Sequence, residues 1–328
     1  MENVLTNILS RCFFSHILNQ TEEEDELLSS LSTSIGILLK LHSDTGALMP
    51  HFDDVVVPLF SPYMISPAAS STKKQHCEHF QIVACCLLDD ILEFGGDHAA
   101  KYVAQCTNQF LENVATSGNN VLRQCSAYGL AQIIRLHQDV LLNALSGDIS
   151  CIANGLLALS SREDANDDDN EGATENAVFG LGILVTSPTF RPCVSSIKSS
   201  ASLMQMTKSW LHGLPLRADA IEAKHSTHLL CNALEVADVN IFGGSQFTNL
   251  PDILRILAEV LNQAQKMACA PAENDSEVIF AHPVTVQRAL HAVKSIASGV
   301  SVPPEIAQQA FGSLSTAHQA VLNQALVA

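Results

Sequence analysis

The stretch Phe80-Gln81-Ile82-Val83-Ala84-Cys85-Cys86-Leu87-Leu88-Asp89-Asp90-Ile91-Leu92-Glu93 decides the fold class. Phe80, Val83, Ala84, Leu87, Leu88, Ile91 and Leu92 recur at i, i+3, i+4, i+7, i+8, i+11 and i+12, the signature of one face of an α-helix. Asp89, Asp90 and Glu93 fall on another face. Comparable helices are read from near Asn119, Ala173, Ala218 and Glu277, each preceded by another helical stretch, so the unit is a helix pair repeating about every 45–50 residues. Such repeats build an α-solenoid, which is a surface for holding something more often than a site of chemistry.

Composition agrees with this reading. Hydrophobic residues make up 47% of the 328, aromatics only 5%, and the alternating β-branched runs of strands are missing. The predicted class is all-α, an α-solenoid of stacked helix pairs. Acidic residues outnumber basic ones 34 to 17, for a formal charge of −17. Such a field repels nucleic acid and anionic lipid and attracts basic partners, although acidity also serves plain solubility.

Ten cysteines occur without a CxxC pair, several inside apolar helical faces (Cys85, Cys125, Cys231), which reads as reduced buried thiols rather than a disulfide framework. No apolar run reaches the roughly 18 residues a membrane span needs. The N-terminus lacks the layout of a signal peptide. A soluble, intracellular protein without membrane insertion is expected.

Along the chain, residues 1–26 read as an N-terminal segment ending in an acidic run, and 27–300 as a solenoid of about six helix pairs. Residues 301–328 read as C-terminal capping helices. Expected helices are Leu27–Leu41, Ala47–Phe60 with a bend at Pro58, His76–Phe94, Asp97–Thr116 and Val121–His137. Asp139–Leu159, Arg191–Leu211, Ala218–Val239, Asn249–Met267, Glu277–Ser298, Pro304–Phe311 and Ser315–Leu326 follow. The acidic loop 162–172 carries six carboxylates between Glu163 and Glu171 and little to bury, so it reads as a mobile linker or, alternatively, a tethered competitor for basic ligands.

Asn120-Val121-Leu122-Arg123-Gln124-Cys125-Ser126-Ala127-Tyr128-Gly129-Leu130 resembles the second helix of a HEAT repeat. With it come Leu88-Asp89-Asp90-Ile91-Leu92-Glu93, Ala173-Thr174-Glu175-Asn176, Trp210-Leu211 with Leu214-Pro215-Leu216, Thr248-Asn249-Leu250-Pro251 and Leu314-Ser315. In this order they resemble the C-terminal region of the importin-β (karyopherin-β) superfamily, specifically its importin-5 (karyopherin-β3) subgroup.

The resemblance implies a right-handed α–α superhelix of HEAT repeats, armadillo-like, serving as a nuclear-import receptor region without cofactor or catalysis and shuttling between cytoplasm and nucleus. Its implied partners are basic nuclear-localisation segments of cargo, Phe-Gly nucleoporins and Ran-GTP, whose main contacts in that family lie in an N-terminal part this chain lacks. The implied cargo face carries Asp89, Asp90, Glu93, Glu175, Asn176, Glu222 and Glu235, and Arg123 is the implied inter-repeat structural residue. The chain departs from the family where Thr116, Ser117 or Asn119 replaces the aspartate that usually faces that arginine, where Gly213 replaces a tryptophan, and where Pro192–Ser202 looks inserted. The alternative function is a HEAT scaffold for complex assembly without a transport role.

No catalytic constellation is found. His76-Cys77-Glu78-His79 and His225-x-x-His228 space pairs of metal-ligating side chains one turn apart, but nothing in sequence completes either set, and HExxH is absent. Gly180-Leu181-Gly182 lies within a helical pattern and is no phosphate loop. Trp210 reads as packing at a repeat interface, with peptide stacking as the alternative.

Overall fold

The computed structural model describes residues 22–46, 48–60, 74–197, 202–269 and 281–327, and every regular element among them is helical. The chain divides into two compact units, residues 1–155 and 156–328.

The first unit contains α1 (Glu22–Leu41), α2 (Lys74–Phe94), α3 (Val103–Thr116), α4 (Asn120–Leu136) and α5 (Gln138–Ala144). Helix α1 starts inside the acidic run, five residues before the expected Leu27. Negative residues are favoured at that end of a helix dipole. Residues 49–60 are helical in three pieces, with the π-helical turn Phe52–Val56 immediately before Val57–Phe60. A widened turn next to Pro58 is the distortion expected where a proline lacks its N–H.

Gly95 N–H closes α2 onto Ile91 O at 2.8 Å, and Gly96 takes φ +55°. The stretch expected as one helix from Asp97 opens instead as the 3₁₀-helix Gly96–Tyr102. Asn119 caps α4, its Oδ1 accepting from Leu122 N–H at 3.0 Å. Helix α2 packs against α1 and α4, and α3 packs against α4 and α5. Leu92, Leu130, Ile133 and Ile134 are completely buried there.

The stretch Asp139–Leu159 is two helices, α5 and α6 (Ser150–Ser160). Gly147 N–H reaches back to Leu142 O and Ser146 N–H to Asn143 O, with both residues at positive φ. That is a Schellman stop, and the apolar pattern across it hid the break. Helix α6 carries the boundary between the units.

The second unit continues with α7 (Glu171–Thr186), α8 (Arg191–Ser196), α9 (Leu203–Gly213), α10 (Ala220–Glu235), α11 (Leu250–Cys269), α12 (Pro283–Ala297), α13 (Pro304–Ser313) and α14 (Thr316–Val327). The expected helix Arg191–Leu211 is thus two helices, with 198–201 outside the described residues. Helix α12 begins at Pro283 rather than Glu277, because proline is tolerated in a first turn but breaks a helix interior. Residues 270–280 lie outside the described set. Asp219 Oδ1 caps α10 at 2.7 Å from Ile221 N–H, and Ser315 Oγ caps α14 at 3.2 Å from His318 N–H.

Helix α7 packs against α8, α9 and α10; α9 reaches α11, α10 reaches α12, and α11 packs against α12, α13 and α14. At the α7–α9 crossing Trp210 is fully buried and its indole lies over Gly182. It is therefore a packing residue, and the glycine is what admits it. A Cβ at position 182 would fall inside van der Waals contact with Trp210 Nε1. We expect Gly182→Ala to destabilise the second unit by about 1–3 kcal/mol, through overpacking that outweighs the helix-propensity gain. A lowered urea midpoint with unchanged m-value is the readout.

Candidate partner-binding site

The three carboxylates of α2 do not form an open surface cluster. Asp89 shares its helix face with Cys85 and Leu92, four residues before and three after, and is only 5% exposed. It lies against Gly129 and next to Phe110, and its Oδ1 has no hydrogen-bond partner. Burial pushes its carboxyl well above the usual range, with the neighbouring Cys86, Asp90 and Glu93 adding to the effect. At that burial it is withdrawn from any macromolecular partner, contrary to a place on an exposed cargo face.

Asp90 turns towards Gly36 of α1 and is pushed up to about 6, first by burial and then by Glu93, against the opposing pull of Lys40. Glu93 accepts from Tyr128 Oη at 2.6 Å and pairs with Arg135 Nη2 at 3.1 Å. Its carboxylate ties α2 to α4. Nearby, His137 Nε2 donates to Leu92 O at 2.7 Å, a carbonyl partner that fixes the proton on that nitrogen.

In the second unit Glu175 is buried, and each carboxylate oxygen accepts one backbone N–H, Arg217 at 2.6 Å and Ala218 at 2.7 Å. Burial raises its pKa while these amides pull it down. It pins the loop that leads into α10. Asn176 and Glu222 are buried as well. Of the expected cargo set only Glu235 is clearly exposed, and its Oε1 accepts from Arg288 Nε at 2.7 Å. That bond and the guanidinium charge hold it below the usual carboxylate range. The same guanidinium meets His228 Nδ1 at 2.7 Å and Asn232 Oδ1 at 2.6 Å, so α12 grips three successive turns of α10. Arg123 is buried, and its Nη1 donates to Ser117 O at 2.8 Å, closing the turn into its own helix.

A cleft of about 320 Å³ opens where α7, α9 and α11 meet, lined among others by Glu175, His212, Pro215, Arg217, Arg255 and Glu259. Arg255 donates to Leu214 O at 2.9 Å and Leu211 O at 3.0 Å, neutralising the carbonyl end of α9. It also pairs with Glu259 at 2.9 Å, and Arg217 bonds the same carboxylate. Both guanidinium groups of this cleft are thus engaged by Glu259. Sequence inspection missed Arg255 and Glu259, although their i, i+4 spacing on a strongly amphipathic helix was a visible signal. The role of Glu175 has no local signal, since its partners lie 42 and 43 residues downstream.

Of the histidine pairs, His225 stacks on Phe179 with ring centroids 6.2 Å apart, His228 is engaged by Arg288, and the side chains of His76 and Cys77 lie outside the described residues. The acidic loop is bound down rather than loose. Arg162 Nε pairs with Asp164 at 2.7 Å, Thr174 Oγ1 donates to Ala165 O at 2.8 Å, and Asn170 Nδ2 donates to Asp164 O at 3.1 Å. Asp167, Asp168 and Asp169 stay exposed at its tip. No helix among the described residues is long and apolar enough to cross a membrane. No protein-family model and no curated protein matches the chain.

Two outcomes follow from these contacts. Glu175→Ala removes the acceptor of the Arg217 and Ala218 amides and lowers unfolding free energy by about 1–3 kcal/mol, whereas Glu175→Gln, whose amide oxygen still accepts from one of them, loses less. Denaturant titration distinguishes them. For Asp90 the folded carboxyl titrates above the unfolded one, so the protonated form stabilises fully below about pH 4, and that contribution is lost as pH rises through about 6. Asp90→Asn should therefore gain stability relative to the native chain between pH 4 and 7, measured by thermal melts across pH.

Proposed function

We propose that the chain is a HEAT-type helical-repeat binding protein, part of an importin-5-like transport receptor, that holds a basic segment of a protein partner by non-covalent contacts. The observation that carries the reading is the spacing of its cross-helix bonds. Cys85–Ser126, Glu93–Arg135, Leu92–His137, Glu175–Ala218 and Leu211–Arg255 are separated by 41, 42, 45, 43 and 44 residues. The bonds from Arg288 to Glu235, Asn232 and His228 span a longer 53, 56 and 60 residues, and it is the recurrence of the shorter interval in both units that supports a stack of similar helix pairs. The net charge of −17 supports a basic partner. The ordered motifs from Leu88 to Ser315 support the transport-receptor family.

Because Asp89, Glu175, Asn176 and Glu222 are used inside the protein, capture of a basic segment falls to exposed carboxylates such as Asp167, Asp168 and Asp169. The same burial favours the second reading, a scaffold for complex assembly, in which the carboxylates rigidify the repeats and no import cargo is held.

A labelled lysine/arginine-rich nuclear-localisation peptide tests the first reading by fluorescence anisotropy. Affinity should fall about tenfold or more between 50 and 300 mM salt, and fall similarly in the Asp167→Asn, Asp168→Asn, Asp169→Asn triple variant. Phe-Gly repeat peptides should bind in a separate, salt-insensitive manner. Absence of both interactions removes the transport reading and leaves the scaffold.

A further inference from the structure

Cys86 on α2 and Cys125 on α4 face each other across the seam between these helices, with sulfurs 3.4 Å apart. Both are partly open to solvent, whereas Cys85 and Cys106 beside them are buried. Cys85 Sγ is engaged with Ser126 Oγ at 3.5 Å. The ion pair and hydrogen bonds that hold the seam, from Glu93 to Tyr128 and Arg135, leave the two sulfurs out. A disulfide has an S–S bond of about 2.05 Å, so closing the gap takes a movement of about 1.4 Å.

We propose that Cys86 and Cys125 are an oxidisable pair, converted by hydroperoxide into a disulfide that staples α2 to α4. One thiolate of the pair attacks a peroxide oxygen, the O–O bond breaks, and the departing hydroxide takes up a proton to leave as water. The sulfenic acid so formed is attacked by the second sulfur. The S–S bond forms, the S–O bond breaks and a second water departs. Two thiols and one peroxide give one disulfide and two waters, the two sulfurs supplying the two electrons.

The thiols themselves are restrained. The hydrogen bond to Cys125 and then burial hold Cys86 protonated well above the ordinary thiol range, with the Asp90 charge nearby adding to it. Cys125 is held up first by its contact with Cys85 and by burial, while its hydrogen bond with Cys86 pulls the other way. Since the thiolate is the nucleophile, the pair answers sustained rather than trace peroxide.

The experiment treats the full chain with graded hydrogen peroxide, blocks remaining thiols with iodoacetamide and digests it with trypsin without reductant. Cleavage after Lys74, Lys101, Arg123 and Arg135 puts Cys125 alone in peptide 124–135 and Cys77, Cys85 and Cys86 together in peptide 75–101. The expected product is a 75–101/124–135 cross-link that disappears with dithiothreitol, persists in Cys85→Ser and Cys77→Ser, and is lost in Cys86→Ser. The oxidised chain should melt several degrees above the reduced one, because the bridge constrains the unfolded state. A cross-link that survives Cys86→Ser overturns the proposal, as does peroxide that drives Cys86 and Cys125 to sulfinic acid without any bridge. Fragmentation of the cross-linked peptide from the native chain locates the bridged sulfur directly, so the outcome does not depend on a serine variant folding.

Discussion

Every amphipathic helix here faces the same constraint. It cannot bury its apolar stripe alone, and what covers the stripe is another helix, either the next in the chain, as α4 covers α3, or one further along, as α4 covers α2. Leu92 illustrates it: the side chain is completely buried, while its carbonyl receives His137, 45 residues later. In the second unit Glu175 reaches forward to the amides of Arg217 and Ala218, and Arg255 reaches back to the carbonyls of Leu211 and Leu214. These polar links are small beside the area buried, but they are directional and so fix the register in which one helix sits on the next.

Close packing gives the carboxylates their unexpected roles. Gly36 and Gly129 lie opposite Asp90 and Asp89, and at each point a Cβ would occupy the space the acid fills. Glycine admits a neighbouring helix near enough to desolvate a group that a helical wheel would assign to water. Desolvation then raises the pKa, and a neutral acid is far cheaper to bury than a charged one. Glu175 keeps a better alternative, since two amides compensate it. Acidic residues in the motifs that suggested a cargo face are thereby turned inward, Glu93 and Glu175 as links between elements and Asp89 and Asp90 as desolvated acids beside glycines, and the negative field a partner would meet comes from other groups.

Much of the fold could be read from local pattern. Helices α2, α4 and α11 emerge close to where their apolar spacing placed them, because the interval i, i+3, i+4, i+7 and the caps Gly95, Asn119 and Ser315 are properties of neighbouring residues. The helices that were run together show the limit of that signal. Across Asp139–Leu159 the apolar residues continue through Ser146, whose positive φ and backward bonds end the turn without a side-chain signature. At Glu277–Ser298 the proline at 283 was a local signal that outweighs the periodic residues ahead of it.

The sequence by itself determined that this chain is helical and that its net charge is strongly negative, since these depend on residue type and spacing alone. Only the tertiary structure decided which acids are surface and which are mortar. It also decided that Trp210 is packing against Gly182, and that Cys86 meets Cys125 rather than Cys85 meeting it alone in the core. The reason is geometric: the environment of a side chain is set by helices distant in the chain, at a separation and rotation that no local pattern contains.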